Sequence, residues 1–571
     1  MSVVVKYGDI AVGARDSFVP SSESGTYFSQ IEKIQKNVSF PNYQNACDYL
    51  SVPLDGSALP LPNEASKENI GFWSKGKSDS TGYFESPVLL SFVSEGYYIS
   101  PGITLYFDDK NGVYATNLEI VWKRNGQELS RKTFNPTSAI FFCENRVELY
   151  NEIVITVYSV NMPLNALKIK SIEYGNGTEF TGAELKLVKI KQEISPISSE
   201  LPIGTGDIVI HSKRGREYFF QDRQPIDIYS DGKLLLKTFL ESFKKTNKNE
   251  WSISGEDYIG LMDGVPFYGG VYSNKTASGL IQEIFAVAKV PYELSNDFDG
   301  SKVSGYIPYT TCREALEQVL FAICAVANTS ESENVKIYKL SDAISQEIPP
   351  YRVIRGQTST EKGRVSKVEV VSHSYRKTQE TVEVYNASTS QTGEEIFITF
   401  SEPLHGLSIK NGTIIESGAN HAVISASEGC VLTGKRYEHT MVTKFLKNPL
   451  VPANATENVV SVKDATLVSE NNVDNVLNLC YNHIINKSNM NMRIVDGKHV
   501  VEGKIARYDE FAYDEMLYDQ IIQPTVKYDK PNKLGDLVVV TSETGETKTA
   551  RITKQSFSLV GNIKVKDTVL E

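Results

Sequence analysis

The sequence predicts a mainly β protein with α+β parts, and three observations support this class. Short alternating runs rich in Val, Ile, Tyr and Thr, separated by Gly, Asn and Asp turns, fill most of the 571 residues. Only two or three segments place apolar residues at the three- and four-residue spacing of an amphipathic helix. At roughly 100 to 200 residues per domain, the length indicates about three to five domains. We therefore expect several β parts, among them an inserted β-sandwich, and an α/β subdomain, and a short sequence repeat adds the expectation of two β-barrels.

The inserted β-sandwich is predicted over residues 15–172. Nearly continuous strand-like runs fill its second half, as at 102–107, 118–122 and 152–157. Its residues 53–80 are rich in Ser, Gly, Pro and Lys, which predicts a long surface loop.

The first β-barrel is predicted from residues 1–14 and 173–250, on either side of the insert. Short strand-like segments at 3–8 and 172–175 flank the sandwich. Domain insertion is tolerated where the entry and exit points of the chain lie close together. The barrel is therefore expected to begin before the sandwich and to resume after it.

The α+β subdomain is predicted over residues 251–345 and contains two helices. The first runs from about Thr276 to Lys289, with an apolar face at three- and four-residue spacing. The second begins at Thr311, where Thr311 and Glu314 form the Ser/Thr-x-x-Glu pattern of a capping box. Both helices are expected to pack on a sheet.

The remaining residues are assigned to a second β-barrel region, 346–450 and 491–571, and to a helical subdomain, 451–490. The helical subdomain is predicted from apolar residues at helical spacing between about Asn472 and Asn486. A short repeat supports two related barrels: Gly206-Asp207 and Gly535-Asp536 each precede an apolar strand and a polar turn. Since Gly-Asp before a strand is common, chance explains this repeat equally well.

Composition and charge exclude several classes of protein. Lys and Arg total 59 against 70 Asp and Glu, and a net charge of −11 argues against a protein that wraps nucleic acid.

The N-terminal residues lack the pattern of a secretory signal. The longest apolar stretch, near 319–327, is far below the roughly 20 residues that span a bilayer. The six cysteines form no C-x-x-C pair, so we expect free, mostly buried thiols.

Catalytic and metal-binding patterns are weak, and we predict no enzyme activity, no cofactor and no metal. The sequence 71–78 satisfies the phosphate-loop pattern, but the Pro-broken residues before it and the turn after it predict neither the strand nor the helix that such a loop needs. No two histidines have the spacing of a zinc-protease helix. Cys430 with His421 or His439 could form a thiol and base, although a buried thiol is the simpler interpretation. Glycoside hydrolysis needs two closely spaced carboxyl groups, and the sequence supports it only by its large number of Asp and Glu residues.

Aromatic residues in the predicted sandwich suggest a glycan-binding surface. Aromatic rings can stack on the apolar face of a sugar while neighbouring polar groups bond its hydroxyls. The alternative is that these rings fill the core between sheets. The candidate glycan-binding residues are Trp73, Tyr97, Tyr98, Tyr106 and Trp122.

Three stretches, taken in order, resemble the hub proteins at the tip of bacteriophage tails, of the tail-associated lysin type, and their relatives in contractile baseplates. The first is 251–263 followed by Phe267-Tyr268-Gly269-Gly270 and the helix from Thr276. The second is Gly305-Tyr306-Ile307-Pro308 leading into the helix from Thr311. The third joins Tyr528-Asp529-Lys530-Pro531 to 534–540 and 552–561. The predicted insert is similar, more loosely, to the galactose-binding type of sandwich found in some tail proteins.

This resemblance implies a structural protein of the virion tail tip, assembled in the cytoplasm of the host bacterium. Such hubs are homotrimers in which each chain gives two similar barrels, so that three chains match a sixfold tail tube. The implied partners are a distal tail protein, the tape-measure protein, a receptor-binding or fibre protein and a host cell-wall glycan, with DNA only in transit. Ten residues follow Gly561, so we expect any lytic activity to come from another protein. A free-standing carbohydrate-binding adhesin is the alternative function.

Overall fold

The computed structural model divides by contacts into two compact units. The smaller comprises residues 6–179 and 217–225, and the larger comprises residues 1–5, 180–216 and 226–571. The structure describes residues 3–11, 13–26, 29–34, 71–109, 111–196, 198, 200–211, 223–348, 358–360, 367–387, 395–447, 459–465, 467–469, 489–493, 533–541, 547–560 and 563–570.

The described residues of the first part of the chain lie almost entirely in strands. One helical turn, α1 (Ala14–Ser17), and a 3₁₀ turn at Ile31–Lys33 interrupt them. Strand β1 begins in the larger unit and continues into the smaller one. Strand β9 begins in the smaller unit and ends in the larger one. The strands are β1 (Val3–Ile10), β2 (Val19–Ser21), β3 (Phe72–Lys77), β4 (Tyr83–Phe107), β5 (Ala115–Arg124), β6 (Gln127–Phe134), β7 (Ile140–Val160), β8 (Ala166–Glu173) and β9 (Gly175–Thr181).

The smaller unit contains a hydrogen-bonded sheet of seven strands in the order β3-β8-β4-β7-β5-β6, with β2 paired to β4. Strand β4 is long enough to pair with β7 along most of its length and with β8 near its end. Register shifts between Val93 and Gly102 change which side of β4 faces the core. The buried apolar residues are at even positions before the shifts and at odd positions after them: Phe84, Val88, Leu90 and Phe92, then Ile103, Leu105 and Phe107.

Gly102 makes this change of face possible. It has a φ of +153°, and a Cβ atom there would lie 2.3 Å from the carbonyl oxygen of Cys143 on β7. An L side chain fits neither the conformation nor the space. Both halves of β4 therefore pack into one apolar core.

The described residues of the larger unit continue with strands, a 3₁₀ turn at Gly182–Glu184, three helices and a 3₁₀ turn at Asn296–Phe298. The helices are α2 (Tyr258–Asp263), α3 (Ala277–Ala288) and α4 (Cys312–Ile323). The strands up to residue 348 are β10 (Leu185–Glu193), β11 (Thr205–His211), β12 (Pro225–Ser230), β13 (Lys233–Asn247), β14 (Glu250–Glu256), β15 (Pro266–Phe267), β16 (Gly270–Thr276), β17 (Tyr292–Leu294), β18 (Lys302–Ile307), β19 (Thr310–Thr311), β20 (Val326–Asn328), β21 (Val335–Tyr338) and β22 (Ile344–Ile348).

The rest of the described chain is β structure. Its strands are β23 (Thr358–Thr360), β24 (Lys367–Asn386), β25 (Glu395–Thr399), β26 (Leu404–Ser417), β27 (His421–Lys447), β28 (Val459–Ala465), β29 (Leu467–Ser469), β30 (Asn489–Arg493), β31 (Leu537–Thr541), β32 (Thr547–Val560) and β33 (Ile563–Leu570). With the strands before them, they confirm the mainly β class.

The main sheet of the larger unit joins strands that are distant in sequence. Its order includes β23-β30-β33-β32-β10-β11-β14-β13-β12, and β31 pairs with β32 and with β22. Strand β10 bridges the early and late parts of the chain, because it pairs with β11 on one side and β32 on the other. A separate sheet contains β25-β27-β24-β28, with β26 also paired to β27.

The two predicted helices of the α+β subdomain are confirmed. Helix α3 begins after Thr276 and ends at Lys289, which adopts the left-handed conformation. Helix α4 begins after Thr311, whose hydroxyl accepts a hydrogen bond from the Glu314 N–H at 3.2 Å. The Glu314 carboxylate accepts a hydrogen bond from the hydroxyl of Thr310. The apolar faces of both helices enter one core that includes Leu280, Ile284, Leu316 and Leu320.

One local prediction is wrong and others lie outside the described residues. The loop expected over 53–80 contains strand β3 from Phe72 to Lys77, because Phe72, Trp73 and Ser74 are buried there and the backbone pairs with β8. The helix predicted from Asn472 to Asn486 falls outside the described residues, as do residues 53–70 of the loop. The domain boundaries and the assignment of two barrels stay predictions. The described residues contain no helix long and apolar enough to cross a membrane.

Candidate functional site

The five aromatic residues predicted to bind glycan differ sharply in exposure. Trp73 and Trp122 are fully buried in the smaller unit. The Nζ atom of Lys168 lies 4.7 Å from the Trp73 ring, and Trp122 contacts Phe134 edge-on at 6.4 Å. Trp122 belongs to the apolar core, as the core-filling interpretation of the aromatic pattern expects, and Trp73 is buried beside Lys168.

The three tyrosines lie on β4, and Tyr97 is the most exposed of them. Tyr97 is 50% exposed, and its hydroxyl accepts a hydrogen bond from the Asn125 side chain at 3.0 Å. Tyr98 packs against Phe18 with ring centroids 5.4 Å apart. Burial and, to a smaller extent, the charge of Glu173 raise the pKa of Tyr106. Only Tyr97 therefore offers a largely open ring with a polar neighbour.

The phosphate-loop pattern at 71–78 lies on and beside strand β3. The Ser74 hydroxyl donates to the Gly76 carbonyl oxygen and accepts from the Leu167 N–H on β8. A strand paired in this way lacks the loop and helix N-terminus that hold phosphates. Among the described residues, no three His, Cys, Asp or Glu side chains are grouped as metal ligands.

The four cysteines that the structure describes are buried or partly buried. Burial raises the pKa of Cys143 to about 12 and the pKa values of Cys312 and Cys324 to about 11. A raised pKa keeps a thiol protonated and inert at neutral pH. Cys430 is buried, and like the other three it is not in a disulfide.

The first two stretches that resemble the tail hubs meet in the larger unit. Gly270 at the start of β16 pairs with Ile307 at the end of β18. Phe267 of β15 pairs with Thr310 of β19, just before helix α4. The two Gly- and Pro-containing turns of these stretches therefore lie side by side.

Asn420, which precedes strand β27, joins these two turns to the five-stranded sheet. Its side-chain NH₂ group donates to the carbonyl oxygens of Tyr268 at 2.7 Å and Ile307 at 2.9 Å. Its side-chain oxygen accepts from the Tyr306 hydroxyl at 2.8 Å. Asn420 is 1% exposed, so water cannot replace these hydrogen bonds. We call this set of contacts the Asn420 joint.

Gly269 allows the turns to approach each other closely. It has a φ of +64°, and a Cβ atom there would lie 2.2 Å from the carbonyl oxygen of Ile307. The backbone conformation and the lack of space for a Cβ atom thus explain why the first Gly of the Phe-Tyr-Gly-Gly sequence is a glycine. No sequence signal identified Asn420, because its partners lie more than 110 residues away.

Three half-exposed aromatic rings lie over the Asn420 joint. Ring centroids are separated by 5.6 Å between Tyr268 and Tyr309, 5.8 Å between Tyr268 and Phe397, and 6.3 Å between Tyr309 and Phe397. All three distances are within the range of direct aromatic contact. We call Tyr268, Tyr309 and Phe397 the aromatic platform.

His421 supports the aromatic platform from within the protein. Its ring stacks on Tyr268 with centroids 4.1 Å apart and an interplanar angle of 25°. It is 4% exposed, and neither ring nitrogen makes a hydrogen bond to the described residues. The Glu416 carboxylate lies 3.5 Å from His421 Nε2, at ion-pair distance.

A cavity of about 650 Å³ lies elsewhere in the larger unit, where the third stretch meets residues of the α+β subdomain. Lys336, Tyr338, Lys533 and Asp536 are among the polar residues that line it. Burial raises the pKa of Tyr338, while a hydrogen bond from Asn328 opposes this. The cavity combines charges of both signs and indicates no single ligand class.

The repeated Gly-Asp pair occupies two different backbone settings. Gly206 and Asp207 lie within β11, where the Asp207 carboxylate accepts from the Ser254 hydroxyl at 2.8 Å. Gly535 precedes β31 with a φ of +92°, and the Asp536 carboxylate accepts from the Lys533 N–H at 3.0 Å. The sequence repeat alone therefore does not correspond to a repeat of local structure.

Comparison with known proteins finds likeness only among solved structures. No protein-family model and no curated protein matches the sequence. A tail protein from Neisseria meningitidis MC58 is 12% identical over 69% of this chain and 93% of its own, with a TM-score of 0.41. The 43 kDa tail protein of prophage MuSo2 from Shewanella oneidensis is 10% identical over 69% and 95%, with a TM-score of 0.41.

A third solved structure is the E. coli c3393 protein, described as a component of the type VI secretion system. It is 7% identical over 68% of this chain and 73% of its own, with a TM-score of 0.32. The matched structures are thus tail proteins and a secretion-system component that is itself described as similar to tail proteins. At TM-scores below 0.5, these likenesses establish no function for this chain.

Proposed function

We propose that this chain is a structural hub of a phage tail tip or of a related tail-like particle. In this role it closes the tail tube and links the tape-measure protein to the distal tail protein. The observation that supports the proposal most is the ordered set of three hub-like stretches. In the described residues, these stretches supply scaffold features: the Asp257 cap of α2, the Gly269 turn and the Gly535 turn.

The hub proposal includes assembly as a homotrimer in the virion tail tip, after synthesis in the host cytoplasm. It includes a receptor-binding or fibre protein as a further partner and DNA only as a passing cargo. A net negative charge suits a channel through which DNA slides without binding. The proposal assigns the chain no catalytic role.

Native mass measurement of the full chain tests assembly. We expect a species of three copies and retention of the distal tail protein on the immobilised trimer. A chain that stays monomeric at high concentration and retains no tail ring protein would refute the hub function.

A carbohydrate-binding adhesin is the second candidate, and Tyr97 is the observation that favours it. Its half-exposed ring and the adjacent Asn125 side chain combine a stacking surface with a polar group. A glycan array with the full chain should then show binding that Tyr97→Ala removes. Tyr83→Ala is the matched control, because Tyr83 is similarly exposed on the same strand. Glycan binding without any assembly partner favours the adhesin, and assembly without a Tyr97-dependent glycan favours the hub.

A further inference from the structure

We propose that the aromatic platform of Tyr268, Tyr309 and Phe397 is a binding site for an uncharged oligosaccharide. This deepens the proposed function, because it assigns the contact with surface glycan to the larger unit. The sugar-binding site depends on the proposed hub function only in one respect, namely that the host surface is the source of the sugar. The site is distinct from the five aromatic residues of the smaller unit that the sequence suggests.

Exposed aromatic area is the first feature that supports a sugar ligand. Tyr268, Tyr309 and Phe397 are 42%, 43% and 46% exposed. Their centroid distances make them one continuous surface rather than three separate rings. Such rings present apolar faces to the C–H groups of a pyranose, and the two tyrosines add hydroxyls for hydrogen bonds.

Rigidity is the second feature. The carbonyl oxygen of Tyr268 is held by Asn420, and its ring is stacked on the buried His421. Phe397 also contacts the His421 ring, at 5.7 Å between centroids. A surface whose side chains are already ordered loses little conformational entropy when a ligand binds.

The polar groups beside the platform select the ligand class. Glu416 is largely exposed, and its carboxylate can accept hydrogen bonds from sugar hydroxyls. The negative charge of the Glu416 carboxylate disfavours an anionic sugar by repulsion. The imidazole of His421 is 96% buried, so it supports the Tyr268 ring from below and presents no group to the ligand. These groups favour an uncharged saccharide rich in hydroxyls.

The size of the platform favours a sugar over a protein partner. With about 200 Å² for each aromatic residue, the exposed part of the three rings is roughly 250 Å². A stable protein interface buries about 800 Å² on each partner. The platform alone is too small for such an interface but is adequate for one or two pyranose rings.

The test measures binding of the full chain to an array of uncharged and anionic bacterial surface oligosaccharides. Saturation-transfer NMR with chitotetraose and maltotetraose provides two defined probes. Tyr309→Ala and Phe397→Ala should each weaken binding of the selected uncharged glycan at least tenfold. Phe445→Ala is the matched control, because Phe445 is a half-exposed aromatic residue elsewhere in the larger unit. Native mass measurement of each variant monitors assembly separately, so failure of the hub function is distinguishable from failure of this site.

Several outcomes would overturn the proposal. They are the absence of any uncharged glycan bound by the wild-type chain, tighter binding of anionic glycans, and binding that Tyr97→Ala removes while both platform variants retain it. Loss of a bound tail protein in the platform variants, without any glycan effect, would instead identify a protein docking surface. Equal weakening by Phe445→Ala would show a general effect on the fold.

Discussion

Asn420 illustrates how much a single buried amide can contribute to the larger unit. It satisfies two backbone carbonyl groups and one tyrosine hydroxyl that belong to two separate turns. Leaving a buried polar group without a partner costs about 1–3 kcal/mol, whereas a formed hydrogen bond contributes about 1 kcal/mol net. Loss of the amide therefore removes three hydrogen bonds and leaves three partner groups without an Asn420 contact.

We expect Asn420→Ala to destabilise the larger unit by about 3 kcal/mol, since two carbonyl oxygens and the Tyr306 hydroxyl lose their partner. Urea denaturation measured in parallel with the wild type gives this difference. Asn386→Ala is the control, because Asn386 is exposed on β24 and its side chain is hydrogen bonded only to the Glu383 side chain among the described residues. A loss below 1 kcal/mol for Asn420→Ala would show that the Asn420 joint is not a principal contact.

Asp257 is a buried carboxyl group at the start of helix α2. Burial raises its pKa from 3.8 to about 6, although hydrogen bonds from Thr329 and from the backbone of Gly260 and Ile259 oppose this. Because the folded-state pKa lies above the unfolded value, the folded state binds the proton more tightly. The resulting stabilisation is complete below about pH 4 and is lost as pH rises through about 6.

We predict that Asp257→Asn reduces the pH dependence of stability between pH 4 and 7. Asparagine keeps an acceptor for the Ile259 and Gly260 N–H groups but carries no charge, so it should contribute nearly equally across this range. A shift of about two pKa units corresponds to roughly 3 kcal/mol. The measurement is the free energy of unfolding at pH 4, 5, 6 and 7 for both proteins. Identical pH dependence would rule out Asp257 as the titrating group.

At the scale of elements, turns and caps determine where the strands and helices of the larger unit end. Helix α4 was predictable because its start depends on neighbours in sequence: Thr311 caps the Glu314 N–H three residues on. The turn between β15 and β16 was not, because Gly269 approaches Ile307, which is distant in sequence. Local signals identify the element, and distant contacts explain its glycines.

We expect Gly269→Ala to destabilise the protein by at least about 3 kcal/mol. A left-handed conformation costs an L residue roughly 1–2 kcal/mol, and the clash with the Ile307 carbonyl oxygen adds to this. Gly300→Ala separates the two contributions, because Gly300 has a φ of +80° with nothing within 4 Å of an added Cβ atom. It should cost only about 1–2 kcal/mol. Equal losses in thermal unfolding would contradict the steric part of this account.

At the scale of the whole molecule, each unit has apolar cores of its own. The smaller unit buries Trp122 and Ile155 in one cluster, and the larger unit buries Leu316 and Leu320 in another. A unit with its own core can unfold as a cooperative body.

We predict two transitions in scanning calorimetry. Trp122→Ala should lower one transition temperature and Leu316→Ala the other, since large-to-small core substitutions cost about 2–5 kcal/mol. Each variant serves as the control for the other. A single transition that both variants shift equally would show that the units unfold together.

The sequence by itself determined the β class, the two helices of the α+β subdomain and the cap at Thr311, because these depend on periodicity and on neighbours within a few residues. The tertiary structure decided which aromatic residues are exposed. Trp73 contacts Lys168 of β8 and Trp122 contacts Phe134 of β6, and both rings are buried, whereas Tyr97 is half-exposed. It also decided that Asn420, His421 and Phe397 meet Tyr268 and Tyr309 across more than 80 residues of chain. Burial and proximity between distant residues are properties of the folded chain, and no local pattern in the sequence carries them.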